Sequence, residues 1–140
     1  MSVNTMKVCC VLLSVVAVVL YCFYKYDNSN RIITINIYYS GENDNAVKFI
    51  QEMVKTGTVA KIRQEAGNLK YEYFYPMDDK NTVLLIDSWQ SQKYLDKHHK
   101  TEMMKTIAEL REKYNLHMKV ERYVGDINYK IERDKKFIRK

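Results

Sequence analysis

The stretch from Gly67 to Met104 constrains the fold most, because two strand patterns, a tight loop and a short helix follow one another there with few connecting residues. Within it, Thr82 to Trp89 is β-branched or aliphatic on both sides of the strand pattern. That pattern is typical of a strand covered on both faces. We therefore expect this strand to be central in its sheet.

The residues that precede this strand form a second strand with one buried face. Aromatic and aliphatic side chains recur at every second position from Leu69 to Tyr75, which is the period of a strand. The sequence PMDDKN, residues 76–81, then interrupts the pattern, because proline cannot extend the ladder and Asp and Asn favour turns. The two strands are therefore predicted to form an antiparallel hairpin.

The remaining segments complete a βαββαβ order. A first strand is predicted over Ile32–Tyr39, and the apolar stripe after it predicts either one kinked helix or two short ones, interrupted near Gly57. Ser91 and Thr101 are candidate N-caps of two later helices, and Leu116–Tyr123 alternates as a last strand. This order predicts an α+β, ferredoxin-like domain with an antiparallel sheet.

A sheet with helices on one side leaves its other face open. The strands carry more aromatic and aliphatic side chains than one covered face accounts for. Such a surface is unfavourable in water. We therefore expect either that two copies of the domain associate or that a ligand fills the gap.

The N-terminal segment contains an uncharged run from Val8 to Tyr24, bracketed by Lys7 and Lys25. Its length lies at the low end of what spans a hydrocarbon core, so it predicts one transmembrane helix, followed by a polar linker. The alternative is a cleaved signal peptide, which begins in the same way. We expect a single-pass membrane protein whose domain lies outside the cytoplasm, because the start resembles a signal sequence.

The positive net charge of +6 is confined mainly to the C-terminus. Residues 31–126 contain 15 Lys and Arg against 14 Asp and Glu, whereas residues 127–140 contain 6 against 2. The sequence thus predicts three parts: an anchor with its linker over residues 1–30, a near-neutral domain over 31–125 and a basic tail over 126–140. Nucleic acid is not expected as a partner, because no recognition motif or basic stripe accompanies the charge.

The domain contains no sequence pattern for a metal or a nucleotide. All three cysteines precede it, and there is no Gly-rich phosphate loop and no two-His-one-carboxylate spacing. His98 and His99 are adjacent, so on a helix their rings diverge by about 100° and cannot hold one ion together. No cofactor and no metal are therefore predicted.

The same central stretch resembles the antibiotic biosynthesis monooxygenase family, which includes quinol monooxygenases and, more distantly, haem-degrading monooxygenases. The resemblance covers about residues 32–123 and implies a dimeric α/β barrel with a pocket between sheet and helices in each subunit. Its carrying residues are Glu65 to Leu69, Tyr71, Asp78 and Asp79, Leu85 to Trp89, Ser91 to Leu95, Asp96, His98 and Met104.

The resemblance implies oxidation without flavin or metal. In the family, an electron-rich phenol or quinol is deprotonated and its anion passes an electron to oxygen, so the protein supplies a base and dipoles that stabilise the anion. The matching positions imply that His98 is the base and that Asn36 is the anion-stabilising donor. Trp89, Tyr71, Tyr73 and His99 would line the substrate pocket.

Each of these residues also has an ordinary structural interpretation. His98 is equally consistent with a capping or surface histidine near a helix end, and Asn36 with a rim amide bonded to backbone or water. Trp89 is consistent with core packing, and the tyrosine stripe from Tyr71 to Tyr75 with core or dimer interface.

The chain also departs from the family in its second histidine, which is Met103 here, after Glu102 instead of proline. No counterpart of the axial histidine of haem-degrading members is present near Ala108. These departures disfavour a paired acid and base, and they disfavour haem.

Three functions follow as hypotheses. The first is a membrane-anchored, cofactor-independent monooxygenase that oxidises a quinol or related aromatic with molecular oxygen and acts as a homodimer. The second is a non-catalytic dimeric module of the same fold that binds an apolar ring, or less readily haem. The third is a purely structural dimerising domain.

Overall fold

The chain divides into two units, Met1–Asn30 and Arg31–Lys140. The computed structural model describes residues 13–25, 30–126 and 128–139. In the first unit, residues 13–25 are helical. The second unit contains the sheet and all the elements discussed below.

The second unit has the predicted α+β, ferredoxin-like order, with each helical position occupied by two short helices. Its sheet has four strands in the order β2-β3-β1-β4, and every pair is antiparallel. The elements are β1 (Ile33–Ser40), α1 (Asn45–Lys55), α2 (Thr58–Arg63), β2 (Asn68–Phe74), β3 (Thr82–Trp89), α3 (Gln92–His98), α4 (Glu102–Lys113) and β4 (His117–Val124), followed by short 3-10 turns at Ile131–Arg133 and Lys135–Phe137.

The local predictions agree closely with these elements. β3 has the predicted bounds and lies between β2 and β1, so the prediction of a central strand is confirmed. Ser91 and Thr101 occupy the N-cap positions of α3 and α4, although neither side chain makes a capping hydrogen bond to its helix. Gly57, with φ of 74°, separates α1 from α2, because a left-handed residue cannot continue a helix. The alternative of two short helices is therefore the correct one.

The core lies between the helices and one face of the sheet, which we call the inner face. It consists of alternate residues of the central strands packed against α1 to α4; the most buried are Ile33, Phe49, Met53, Ile62, Val83, Leu85 and Trp89. On the opposite, outer face the side chains of Phe74 and Tyr123 are 41% and 53% exposed. Residues of one strand thus alternate between a packed interior and an open surface.

The predicted membrane helix over residues 8–24 requires correction. No helix among the described residues is both long and apolar enough to cross a membrane. The helical residues 13–25 number 13, and they rise only about 20 Å against a hydrocarbon core of about 30 Å. Residues 8–12 of the predicted span lie outside the described part of the chain. The prediction of a single-pass membrane protein with its domain outside the cytoplasm is therefore wrong.

Substituting Leu85 by alanine should lower the free energy of unfolding by about 2–5 kcal/mol, because the surrounding core cannot close around the void. Leu85 is 2% exposed on the inner face of the central strand. Urea titration monitored by circular dichroism measures the loss. Val54→Ala is the control, since Val54 is 58% exposed on α1 and its truncation should cost less than about 0.5 kcal/mol. A Leu85→Ala loss below about 1 kcal/mol would contradict this packing.

Candidate active site

The turn between α2 and β2 brings a carboxylate against α3. Gly67 has φ of 83°, and a Cβ there would lie 2.2 Å from Cγ of Tyr94, so only glycine allows this tyrosine to pack on the turn. The Gly67 carbonyl also accepts a hydrogen bond from Gln90 N–H at 2.8 Å. His98 follows Tyr94 by four residues, which places both side chains on one face of α3. The packing on Gly67 therefore carries His98 to Glu65.

His98 is 3% exposed and is fixed from two directions. Its Nδ1 lies 2.8 Å from Oε1 of Glu65. Its ring stacks on the indole of Trp89, with centroids 4.8 Å apart and planes inclined by 28°. A hydrogen bond to one ring nitrogen determines which nitrogen carries the proton. Nδ1–H donates to Glu65, and Nε2 is then left as a proton acceptor.

Asp87 is a carboxylate on the buried face of the central strand, with 4% exposure. Burial raises the pKa of Asp87 to about 6, while the nearby Trp89 indole N–H and His98 lower it. Nevertheless, Asp87 Oδ1 and Trp89 Nε1 are both buried and do not meet the geometry of a hydrogen bond with each other or with other described residues. Asp87 therefore keeps an acceptor oxygen for a ligand.

Three buried tyrosines interact electrostatically with this carboxylate. Burial raises the pKa of Tyr39 to about 12 and moves the pKa of Tyr71 and of Tyr73 well above their ordinary value of 10.0. The Tyr73 hydroxyl donates to the Tyr71 oxygen at 3.4 Å. All three phenols thus stay protonated at neutral pH. The Tyr71 proton is available to another acceptor, because Tyr71 acts as acceptor in that bond.

A cavity of about 250 Å³ lies between the inner face and the helices. Most of its wall is aliphatic or thioether, and polar side chains enter at a few points, as is usual for a small-molecule pocket. It is lined by Ile35, Ile37, Tyr39, Tyr71, Leu85, Asp87, His98, His99, Met104, Ile107, Arg111, Met118 and Val120.

The structure brings together three of the six predicted site residues. His98, His99 and Tyr71 line the cavity. His99 is more exposed than His98, and its ring centroid lies 5.9 Å from that of His98. Burial and the neighbouring His98 lower the pKa of His99.

Trp89 and Tyr73 lie behind the wall and support it. Trp89 is fully buried and stacks on His98, which lines the cavity. Tyr73 donates a hydrogen bond to Tyr71, which also lines it. Neither is a lining residue, so the pocket prediction for these two requires correction.

Asn36 does not belong to this group. It lies between Ile35 and Ile37, which line the cavity, so strand alternation directs it to the outer face. There it is paired in register with Ile86 and Glu121. The prediction that Asn36 and His98 share one site is therefore corrected.

Asp87, Glu65 and Arg111 are site residues that the sequence did not predict. A signal for Asp87 was present, because it falls in the same alternation as Val83, Leu85 and Trp89, where a carboxylate interrupts a buried face. Glu65 carried no comparable signal, since its partner His98 lies 33 residues further along the chain. Arg111 follows the buried Leu110 in α4, and in the sequence it looks like an ordinary solvated helix residue.

The arrangement is suited to proton transfer at an organic ligand. Among residues 13–25, 30–126 and 128–139, no group of three or more His, Cys, Asp or Glu is placed to hold a metal ion. The cavity instead combines a fixed imidazole, a carboxylate with a pKa of about 6 and a phenol donor. These groups can remove a proton from a bound hydroxyl and stabilise the resulting anion.

Fold and cavity define a ferredoxin-like α+β domain with an acid-base pocket between its sheet and its helices. The family model "Antibiotic biosynthesis monooxygenase" matches residues 32–110, and the chain belongs to this family. No curated protein sequence matches the chain significantly.

Solved structures agree with the fold. A conserved protein from Bacteroides thetaiotaomicron is 21% identical with a TM-score of 0.61, covering 69% of this chain and 99% of its own. A candidate antibiotic biosynthesis monooxygenase from Deinococcus radiodurans is 17% identical with a TM-score of 0.62, and the match covers 71% of this chain and 97% of that protein. A second candidate antibiotic biosynthesis monooxygenase, from Nitrosomonas europaea, is 20% identical with a TM-score of 0.59, and the match covers 71% of this chain and 94% of that protein. At these identities the likeness concerns the fold alone.

Asp87→Asn should stabilise the domain more at pH 8 than at pH 4. The folded pKa of about 6 exceeds the ordinary 3.8, so the folded state binds more protons between these values. Stability therefore falls as pH rises from about 4 to about 6 and stays reduced above, by up to about 3 kcal/mol. Asparagine removes this dependence. Urea titrations of both proteins across that range measure it, and a pH-independent difference would contradict a strained carboxylate at Asp87.

Proposed function

We propose that this domain is a cofactor-independent monooxygenase that oxidises a quinol or related electron-rich aromatic with molecular oxygen. The net reaction is quinol plus oxygen to hydroxyquinone plus water, so the substrate itself supplies the electrons. The observation that carries the proposal is the 2.8 Å contact between His98 Nδ1 and Glu65 at the wall of an apolar cavity. It supplies the one group that this chemistry requires of the protein, an oriented base.

His98 acts as the base through Nε2. Glu65 holds Nδ1–H, which fixes the tautomer and keeps the Nε2 lone pair free, and the Trp89 ring fixes the imidazole plane. When His98 has taken the proton, it carries a positive charge in a buried site. Asp87 then stabilises it, because opposite charges attract strongly where water is excluded; the same attraction makes His98 lower the pKa of Asp87.

Tyr71 is the donor to the substrate anion. Its oxygen accepts from Tyr73, so its own proton is available, and burial holds that proton on the phenol. A preorganised donor stabilises developing negative charge. Tyr71 therefore takes the role that sequence analysis assigned to Asn36.

The reaction proceeds from the bound anion. The quinolate passes one electron to oxygen, and the two radicals combine to form a carbon–oxygen bond. Protonated His98 returns its proton to the resulting peroxide anion, which gives a hydroperoxide. The O–O bond then breaks as the ring carbon loses its proton, and the leaving hydroxide takes up that proton and departs as water. Protons and electrons balance without an external reductant.

The second candidate function, binding an apolar ring without oxidising it, is favoured by the aliphatic wall of the cavity. Ile35, Ile37, Leu85, Ile107 and Val120 all contribute to it. Such a wall binds aromatic rings by burial of apolar surface alone. Saturable binding of a quinol with no oxygen uptake above the uncatalysed rate would support this alternative against the enzyme.

His98→Gln should lower oxygen uptake with a naphthoquinol about 100-fold or more, because glutamine keeps a hydrogen bond but cannot accept the proton. An oxygen electrode measures the rate, and thermal melting measures stability in parallel. The control is His117→Gln, since His117 is exposed at the start of β4 and does not line the cavity. It should leave rate and melting temperature nearly unchanged.

The companion variant Glu65→Gln separates a base from a packing histidine. It keeps a side-chain acceptor but removes the charge that supports protonated His98, so the rate should fall by about 10-fold or more with little loss of stability. If His98→Gln retains nearly full oxygen uptake, or loses it only in proportion to lost folding, then His98 is not the base.

We also propose that two copies associate through the outer face of the sheet, as the family resemblance implies. On that face the exposed Phe74 and Tyr123 and the half-buried Leu84 and Ile86 contribute apolar surface that water disfavours, beside the ion pair of Lys119 and Glu121. A second copy offers the same surface, so the contact closes symmetrically.

Light scattering after size exclusion should therefore give a dimer mass for the full chain. Phe74→Glu should shift it to a monomer, because it places a charge in the apolar contact. Val54→Glu is the matched control, since it places the same charge on α1 at a similarly exposed position, and it should leave the mass unchanged. A well-folded monomer in the unsubstituted chain would contradict the dimer.

A further inference from the structure

Arg111 lies on α4 and lines the cavity that holds His98 and Asp87. Its Nη1 donates to Met118 Sδ at 3.0 Å, and its Nη2 lies 4.0 Å from Glu112 Oε1. The side chain is 33% exposed, whereas that of Glu112 is 82% exposed. Arg111 is therefore a partly buried cation at the mouth of the cavity.

These two contacts leave most of the guanidinium N–H groups without a strong acceptor among the described residues. The group has five N–H donors in one plane, and a thioether sulfur is a weak acceptor. An ion pair as long and as exposed as that with Glu112 contributes little. Within the described ranges, no other carboxylate lies within 4.0 Å of Arg111. The guanidinium can thus receive a planar anion in a bidentate manner.

The charged groups of the cavity lie at opposite ends of it. Asp87 is paired in register with Ile35, and Met118, which contacts Arg111, is paired with Tyr39. Ile35 and Tyr39 are four residues apart on β1, about 13 Å along the strand. One end therefore carries the acid-base groups and the other carries the cation.

Tyr39 connects the two ends electrostatically. Burial has the largest effect on its pKa, which rises to about 12; Arg111 lowers the pKa and Asp87 raises it. Both charges therefore act on one hydroxyl inside the same cavity, although they come from different elements. A ligand in the space between them experiences a positive end and a negative or proton-accepting end.

We propose that the substrate is an aromatic acid, whose carboxylate is held by Arg111 while its hydroxyl lies against His98. This inference rests on the proposed function for the fate of the hydroxyl and adds the substrate class. The orientation is set by charge, because a carboxylate at the other end would face Asp87. The cavity of about 250 Å³ is just below the range of about 300–1,000 Å³ for drug-sized ligands, so it accommodates one or two fused rings.

Calorimetry with two matched ligands tests the carboxylate site. The first is a hydroxynaphthoate with its hydroxyl and carboxylate on opposite rings, and the second is the corresponding neutral carboxamide. The full chain should bind the acid more tightly. Arg111→Gln should weaken binding of the acid by about 10- to 100-fold and leave the carboxamide nearly unchanged, because only the charged hydrogen bonds are lost.

Arg122→Gln is the control for general charge. Arg122 is exposed on the same side of β4 as Met118, donates to Gln92 Oε1 at 2.9 Å and does not line the cavity. It should leave both affinities unchanged. If Arg111→Gln weakens acid and carboxamide equally, if the unsubstituted chain does not prefer the acid, or if neither ligand binds, then Arg111 is not an anion site.

Oxygen uptake separates failure of this inference from failure of the proposed function. Preferred binding of the acid through Arg111, with no turnover of acidic or neutral quinols, supports the anion site and contradicts the monooxygenase. Turnover of neutral quinols that Arg111→Gln does not alter, with no preference for acidic ones, contradicts the anion site and supports the monooxygenase.

Discussion

The period of two along β3 determines what the interior of this domain contains. Val83, Leu85, Asp87 and Trp89 all project toward the helices, because alternate residues of a strand share one face. The same register that buries three apolar side chains buries a carboxylate among them. An element in the centre of the sheet cannot turn this one residue away, so the helices cover Asp87 and a cavity remains beside it.

The buried carboxylate is tolerated because the surrounding groups reduce its cost. Removing it from water raises its pKa to about 6, while Trp89 and His98 act in the opposite direction. An apolar residue at this position would avoid the cost of removing a charge from water. Local rules of stability are most often broken where a protein binds or reacts. The energetic cost at Asp87 and the candidate pocket are therefore two aspects of one arrangement.

The orientation of His98 depends on contacts between distant parts of the chain. Glu65 precedes β2 and His98 ends α3, and 33 residues separate them. They meet because Gly67 adopts a left-handed conformation on which Tyr94 packs. The position of the imidazole is thus set by backbone geometry at a glycine that has no chemical role.

The order of the elements, the bounds of β3 and the helix starts after Ser91 and Thr101 follow from the sequence alone, because strand period and the residue preferences of helix starts are local. The uncharged run from Val8 to Tyr24 does not by itself establish a membrane span, because the sequence does not show how many of its residues form one continuous helix. Alternation also showed that Asn36 opposes Ile35 and Ile37. The three-dimensional packing alone shows which of these faces the helices cover and which carboxylate meets His98, because both depend on contacts between segments far apart in the chain.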